Sequence, residues 1–340
     1  MKYYILASFL FIGILIVSFY FWAKKSNYPV SEYTEISSFS TSRSNSSDTF
    51  SVMTYNIGYL SGMTNNLPIE RSPLYFENRM NRAITLFLDK NPQILAFQEI
   101  DFMSNRSFSI NQYEHIANSC HFFNGAKAIN WDKKYVPFPY WPIKYHFGKI
   151  YSGQAILSNY KILSNERIVL PQPESNTFFY NDFYLDRLAQ KSWLSIGEDS
   201  LLVINVHFEA WDGPTRELQS HIVIDLYQKY EKEYPIIILG DFNSVPPYSK
   251  SAYGESTIQS FLDIPSLASV IDESIYLNSP RDFYTFSSEN PYEKIDYIFY
   301  NKVFLSCIES DVLQEMTKVS DHLPVFARFE LKKNNILYNY

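Results

Sequence analysis

The chain has little cysteine: Cys120 and Cys307 are the two in 340 residues, and they lie in unrelated contexts. Neither has the Cys or His spacing of a structural zinc site, which argues against a zinc-ribbon or zinc-finger domain. We expect two buried thiols in preference to a disulfide, so the redox compartment stays open. Glycine is also scarce, with 10 residues, and 46% of the chain is hydrophobic, which excludes a disordered protein.

Positive charge is in deficit, with 29 Lys and Arg against 36 Asp and Glu and a net charge of -7. A protein that holds nucleic acid mainly by neutralising phosphates is usually basic. This balance argues against a tight nucleic-acid binder, but it permits an enzyme that contacts a phosphodiester briefly through a metal. Aromatic residues are abundant, at 18% of the chain, so we expect a ring-rich core or groove.

An apolar run at the N-terminus has the length of a membrane span. It covers residues 3–23, with Lys2 before it and Lys24 and Lys25 after it. The alternative is a cleaved signal peptide, but its apolar stretch is usually shorter and ends at a small-residue cleavage site, which we do not find. We therefore expect residues 1–25 to be a single-pass anchor. We place the rest of the chain outside the cytoplasm, although lysines on both flanks leave the orientation open.

Three further segments are expected after the anchor. Residues 26–48 are rich in Ser and Thr and predict a flexible linker, and residues 332–340 form a short C-terminal tail. Residues 49–331 alternate apolar strand-length runs with helical periodicity, which predicts one α/β domain. The expected strands are 50–57, 93–98, 153–158, 201–208, 235–241, 294–300 and 324–331, and the expected helices are 74–90 and 215–230. Between them, the prolines of segment 131–148 predict irregular structure.

Polar side chains occur at or near the ends of most of these strands. They are Asn56, Glu99, His207, Asp241 and Asp296, and the pair Asp321 and His322 directly precedes the last strand. In α/β folds, chemistry collects at strand ends. Carboxylate and amide oxygens are also the ligands that a Mg²⁺-type cation prefers.

Asp241 and Asn243 follow a buried strand two residues apart, in the stretch GDFNS. An extended chain would point both side chains to one side, whereas an Asx-type turn would explain them structurally. Asp296 lies in an otherwise apolar strand, where a carboxylate is costly unless it is paired. His322 is a candidate partner, because a carboxylate behind an imidazole fixes its tautomer.

The motif order TYNI, QEI, NVHF, GDFNS, KIDYIF and SDHLPV, over residues 50–331, resembles the endonuclease/exonuclease/phosphatase superfamily. The superfamily includes pancreatic-type deoxyribonucleases, abasic-site endonucleases, neutral sphingomyelinases, deadenylases and inositol polyphosphate 5-phosphatases. The resemblance implies a four-layer α-β-β-α sandwich, made of two packed mixed β-sheets with outer helices.

The resemblance also implies a metal and a nucleophile. Glu99 would hold the divalent cation with Asn56 beside it, and Asp321 would be a further ligand. Mg²⁺ is the expected ion, with Mn²⁺ or Ca²⁺ as alternatives. Asp241 would orient or deprotonate the attacking water, and Asn243 would contact the phosphate or the metal.

Four more residues receive roles from the same resemblance. His322, oriented by Asp296, would contact the scissile phosphate or act as a base. His207 would be the acid, or a phosphate donor, near the leaving group. Tyr151, next to the segment GQAILS, would reach a phosphate oxygen.

The sequence predicts the substrate less directly than it predicts the fold. His207 argues against an abasic-site endonuclease, and KIDYIF replaces the signature of the inositol 5-phosphatases. We predict a metal-dependent phosphodiesterase of the endonuclease type, with nucleic acid as substrate and no obligate protein partner. One alternative is a membrane-associated, sphingomyelinase-like enzyme acting on a lipid headgroup. The other is a non-catalytic binding module with a decayed site.

Overall fold

The structure is a computed structural model that describes residues 2–40, 48–250, 254 and 256–332. Its strands are Thr34–Ser38 (β1), Thr49–Asn56 (β2), Ile94–Asp101 (β3), Asn124–Val136 (β4), Gly148–Ser158 (β5), Ile162–Val169 (β6), Leu188–Ile196 (β7), Asp199–His207 (β8), Ile236–Asp241 (β9), Leu267–Ser269 (β10), Asp296–Asn301 (β11), Leu305–Val312 (β12) and Val325–Leu331 (β13). Its α-helices are Lys2–Ala23 (α1), Pro73–Lys90 (α2), Gln112–Ser119 (α3), Phe178–Phe183 (α4), Gly213–Gln228 (α5), Thr257–Leu262 (α6) and Glu273–Asn278 (α7).

The strands form two mixed sheets. The first has seven strands in the order β1, β4, β5, β3, β2, β13, β12, and the second has six in the order β10, β11, β9, β8, β7, β6. Near the centre of each sheet lies one parallel pair, β2 with β3 and β8 with β9, and the flanking pairs are antiparallel.

Alternate residues of the second sheet belong to two different cores. Val203 of β8 and Ile237 of β9 pack in the core between the sheets, whereas Leu202 and Ile236 pack in the core beneath the helices. This alternation is the period-2 pattern of a strand buried on both faces. It explains why these strands appear in the sequence as continuous apolar runs.

Helices cover the outer face of each sheet. In α2, Ser72 caps the first turn by accepting from the Tyr75 amide, and the ring of Phe87 packs on the first sheet. Val223 of α5 and Phe261 of α6 pack on the second sheet. The predicted α-β-β-α sandwich is therefore confirmed.

The segment 26–48 differs from the expected flexible linker. Thr34–Ser38 forms an edge strand, antiparallel to β4, with Thr34 opposite Ala128. Backbone groups make this pairing, so a Ser- and Thr-rich composition does not reveal it. Residues 41–47 of the linker and 333–340 of the tail lie outside the described residues, and the predicted domain boundaries stay predictions.

The prediction of irregular structure across 131–148 is wrong in its first part. Strand β4 continues to Val136, because the prolines of this segment begin only at Pro137. A residue without an N–H ends the regular pairing, so the chain between Pro137 and Gly148 forms a non-strand excursion before β5.

Helix α1 extends from the domain at the N-terminus. It is long and apolar enough to cross a membrane, and its span is not buried inside the protein. A signal sequence near the N-terminus can also meet these limits of length and composition, so the helix alone does not distinguish the two.

Candidate active site

The register of the strands brings the predicted polar residues to one edge of the sandwich. In the second sheet, Asp241 lies opposite Asp296 on one side and His207 on the other. All three lie an even number of residues from inward-facing apolar residues of their strands, so their side chains point into the space between the sheets. Asn56 ends β2 in the first sheet and faces them from the opposite layer.

His322 and Asp296 form a buried hydrogen-bonded pair. Nδ1 of His322 lies 2.9 Å from Oδ2 of Asp296, and its Nε2 lies 3.8 Å from Oδ2 of Asp241. Burial alone would lower the pKa of His322, but the two carboxylates raise that pKa well above its ordinary value. The carboxylate of Asp296 therefore fixes the ring so that Nε2 faces Asp241.

Asp241 lies at the centre of the cluster. Its Oδ2 accepts a hydrogen bond of 3.0 Å from Nδ2 of Asn56. Burial, together with repulsion from Asp296, raises the pKa of Asp241 to about 7 against the opposing effects of His322 and Asn56. The amide of Asn56 is itself oriented, because its Oδ1 accepts from the Gly58 amide at 3.1 Å.

Glu99 enters the site through an irregularity in β3. The pairing of β3 with β5 shifts between Phe97 and Ile100, and Glu99 has a φ of 53°. Positive φ is uncommon for a residue with a side chain and clusters at functional sites. The bulge brings Oε1 of Glu99 to 3.4 Å from Nδ2 of Asn56 and leaves the side chain 22% exposed.

Asn65 links two of the predicted metal ligands and was not predicted. Its Nδ2 lies 3.5 Å from Oε2 of Glu99 and 3.2 Å from Oδ2 of Asp321, and its Oδ1 is buried without a hydrogen-bond partner among the described residues. Two carboxylates that converge on one amide repel each other unless a cation lies between or beside them. The carboxylate oxygens of Glu99 and Asp321 thus suit a hard divalent cation, with the amide groups of Asn56 and Asn65 beside them.

Asp241, Asp296 and His322 form a second group with ligand atoms close together. Nδ1 of His322 is already hydrogen-bonded to Oδ2 of Asp296, and Oδ2 of Asp241 accepts a hydrogen bond from Nδ2 of Asn56. This trio is satisfied mainly by its own hydrogen bonds, so the oxygen-rich side of the site around Glu99 fits the cation better.

His207 was predicted to be an acid or a phosphate donor near the leaving group, and both roles stay predictions. Nη1 of Arg187 donates to its Nε2, which also lies 3.5 Å from Oδ2 of Asp241, while Nδ1 is buried without a partner among the described residues. Burial and the charges of Arg187 and His322 lower the pKa of His207 well below its ordinary value. A neutral ring that accepts at Nε2 has no proton there to give in this structure.

Arg187 is a second residue that sequence reasoning missed. It precedes β7 and lies buried between His207, the hydroxyl of Tyr184 at 3.0 Å and the carboxylate of Glu209 at 3.5 Å. The signal in the sequence is an arginine directly before an apolar strand. His207 and Glu209 come from β8 and the loop that follows it, so the sequence gives no sign of these two contacts.

Of the two geometries that the sequence leaves open for Asp241 and Asn243, the structure has the turn. Asn243 has a φ of 48°, its amide N–H donates to Oδ1 of Asp241 at 2.9 Å, and its Nδ2 donates to the Phe208 carbonyl at 3.0 Å. The Asx-type turn is therefore present, because the side-chain carboxylate captures the amide two residues on. The predicted phosphate contact of Asn243 stays a prediction.

Tyr151 lies away from the cluster. Its ring packs on Tyr28 and Phe102, with centroids 4.5 Å and 5.9 Å away. The side chain is buried in the hydrophobic core that includes the residues of the first sheet. The predicted contact of Tyr151 with a phosphate oxygen stays a prediction.

A ring-lined cleft of about 470 Å³ adjoins the cluster at Glu99. Its apolar walls come mainly from α4 and from the chain that follows β4, and Trp211 closes one side. Arg106 also lines it, but its guanidinium makes two hydrogen bonds to Asp101, of 3.1 and 2.8 Å. The volume lies within the range of about 300–1,000 Å³ that is usual for small-ligand sites.

Several known protein structures share this fold. No curated protein sequence matches the chain significantly. The catalytic domain of human Nocturnin, solved with a bound sulfate anion, aligns with 90% of this chain and 100% of its own, at 18% identity and a TM-score of 0.57. An endonuclease/exonuclease/phosphatase from Bacteroides vulgatus aligns with 84% of this chain and 99% of its own, at 18% identity and a TM-score of 0.57.

A truncated TDP2 from Caenorhabditis elegans aligns with 83% of this chain and 97% of its own, at 15% identity and a TM-score of 0.55. These likenesses show a shared fold. A sequence profile of one family matches residues 53–322, which hold every residue of the cluster described above. The chain therefore belongs to the Endonuclease/Exonuclease/phosphatase family.

Proposed function

We propose that this protein is a divalent-metal-dependent phosphodiesterase that hydrolyses its substrate with an activated water. Members of its family are generally phosphoric ester hydrolases. The observation that carries the proposal is the buried cluster of His322, Asp296, Asp241 and Asn56, which lies beside the oxygen-rich group at Glu99.

Each residue of the cluster has a task in such a reaction. Asp296 holds the ring of His322 so that Nε2 faces the reacting phosphate, where it stabilises negative charge on a phosphoryl oxygen. Asn56 presents Nδ2 to the same space and orients Asp241. Asp241 accepts a hydrogen bond from the attacking water and takes its proton. Such acid–base help contributes roughly 10²–10⁴-fold to the rate.

Glu99 and Asp321 would hold the cation, with Asn56 and Asn65 beside the two carboxylates. A bound divalent ion would neutralise charge on the phosphoryl oxygens and lower the pKa of a bound water. Mg²⁺ is the ion we propose, since the donors are carboxylate oxygens and no thiol lies among them.

Nucleic acid was the first substrate predicted from the sequence. Among the described residues that line the cleft, however, Arg106 is the cationic one, and it is paired with Asp101. A groove that follows a nucleic-acid backbone is usually lined with free cations. The cleft thus favours a substrate with one phosphodiester and an apolar or aromatic remainder.

The test is hydrolysis of bis(p-nitrophenyl) phosphate by the full chain in detergent. We expect activity with Mg²⁺, its loss in EDTA, and its recovery when Mg²⁺ or Mn²⁺ is returned. Asp241→Asn and His322→Gln should each lower the rate at least about 10²-fold. The matched control is His221→Gln, which changes an exposed histidine of α5 and should leave the rate unchanged.

A non-catalytic binding module would behave differently. It would bind Mg²⁺, visible as a rise in the unfolding temperature, but would release no p-nitrophenol above the rate of His322→Gln. Equal rates for the wild type and both site variants would therefore refute the proposal.

A further inference from the structure

The last turns of α1 are docked on the catalytic domain at α4. The ring of Tyr20 stacks on Phe179 with centroids 5.2 Å apart, and its hydroxyl donates to the carboxylate of Asp182. Nζ of Lys24 lies 3.0 Å from the same carboxylate. These contacts fix the end of the apolar helix against α4.

A second set of contacts docks the helix on β4. The rings of Phe19 and Trp22 pack against Tyr135, with centroids 5.4 Å and 6.4 Å away. The chain that follows stays attached, because the backbone amides of Asn27 and Tyr28 both donate to Asp132 at 2.9 Å. The domain therefore has a defined orientation relative to the helix.

The two elements that hold α1 also build the cleft. Phe179, Tyr180 and Phe183 of α4 line it, as do the end of β4 and the chain after it, through Val136, Pro137, Phe138 and Tyr140. The 22 residues of α1 are about 33 Å long, close to the thickness of the hydrocarbon core of a bilayer. If α1 crosses a bilayer, its last turn therefore lies near the headgroups. The walls of the cleft must then lie at the depth of the headgroups too.

Large apolar side chains project from the rim beside this cleft. Trp141 and Phe178 are each 75% exposed and Ile143 is 61% exposed, and none of the three lines the cleft. We call these three residues the rim. Exposed rings close to the end of a membrane helix are typical of the bilayer interface.

We propose that the rim inserts into the bilayer interface and that the cleft receives the phosphodiester headgroup of a membrane lipid. This inference rests on the proposed phosphodiesterase function and names its substrate class. The oxygen of water would form a bond to phosphorus, and the ester bond from phosphorus to the lipid alcohol would break. The leaving oxygen would take a proton, giving a membrane-bound alcohol and a soluble phosphomonoester.

The first experiment uses the full chain reconstituted in vesicles of phosphatidylcholine, sphingomyelin or phosphatidylglycerol, each tested alone with Mg²⁺. Release of the soluble phosphomonoester from at least one of them is expected. The rim variant Trp141→Ser/Ile143→Ser/Phe178→Ser should lower that release roughly tenfold, which corresponds to about 1.4 kcal/mol. Its hydrolysis of bis(p-nitrophenyl) phosphate should stay within about twofold of the wild type, equivalent to less than RT.

The control variant Val303→Ser/Ile308→Ser removes exposed apolar side chains from the region of β12. It should leave both activities unchanged. An equal loss of lipid hydrolysis in the control and the rim variant would overturn the inference. Nicking of plasmid DNA with all three lipids intact would also overturn it while leaving the phosphodiesterase function in place. Loss of bis(p-nitrophenyl) phosphate hydrolysis in the wild type would instead refute the phosphodiesterase function.

A second measurement does not depend on activity. Tryptophan fluorescence of the full chain in vesicles of brominated phosphatidylcholine is compared between the wild type and Trp141→Phe. If Trp141 lies in the interface, the wild type loses more emission to the bromines than the variant does. Equal quenching of both would show that the rim stays in water.

Discussion

The pair between Asp296 and His322 gives the sharpest test of the site. Replacing Asp296 with Asn keeps the shape of the side chain and removes its charge. The two groups lie 2.9 Å apart, and at an effective dielectric constant of about 20 two unit charges at this distance attract by about 6 kcal/mol. Because that attraction favours a charged His322 oriented toward the phosphate, we expect kcat on bis(p-nitrophenyl) phosphate to fall roughly 10²–10⁴-fold, with little change in KM.

Stability should change much less than activity. Desolvation of the Asp296 carboxylate and its repulsion of Asp241 offset most of its attraction to His322 in the folded state, and His322 can lose its proton once the carboxylate is gone. We expect the unfolding temperature to move by less than about 4 °C, on the order of 1–2 kcal/mol for a domain of this size.

The control is Asp272→Asn, which makes the same chemical change at the N-cap of α7, where Asn serves equally well. It should keep full activity. An Asp296→Asn enzyme within threefold of the wild type, alongside an inactive His322→Gln enzyme, would refute the reasoning, because His322 would then act without its carboxylate.

Three further outcomes are expected. Glu99→Gln should weaken Mg²⁺ binding roughly 10–100-fold, measured as the shift of the unfolding temperature with Mg²⁺ concentration. Gly240→Ala should destabilise the fold by about 3 kcal/mol or more in thermal unfolding, since a Cβ at its φ of 138° would meet a backbone oxygen at 2.0 Å, whereas Gly213→Ala meets nothing within 4 Å and should be neutral. Burial raises the pKa of the Cys120 thiol to about 12 and that of Cys307 to about 11. At pH 8, where little thiolate remains, both should react with iodoacetamide roughly 10²–10³-fold more slowly than free cysteine, and the rate should rise tenfold per pH unit.

The strands that the sequence predicted are mostly those in the middle of a sheet. Strands β8 and β9 are buried on both faces, so their residues are apolar almost throughout. Edge strands β1 and β12 were not predicted, because most of their side chains are at least partly exposed and backbone pairing alone holds them in the sheet. A strand that is buried on both faces can be predicted from its apolar composition, whereas an exposed edge strand cannot.

The site residues divide in a similar way. Asp296 was predictable because an acid in an apolar strand needs a partner. The structure confirms that this partner is His322. Asn65 lies in a loop of polar residues, and nothing local distinguishes it from its neighbour Asn66. Its importance comes from Glu99 and Asp321, which lie far away in the sequence.

By itself, the sequence determined which polar residues lie at the ends of buried strands. Because side chains alternate between the two faces of a strand, it also determined that these residues lie on the face that packs in the core between the sheets. It also determined the apolar length of α1. Only the tertiary structure decided that Asn56 meets Asp241 across the two sheets, that Arg187 occupies the Nε2 of His207, and that α1 docks on the walls of the cleft. The physical reason is that alternation along a strand is local, whereas these contacts depend on sheet packing and on where a distant segment returns.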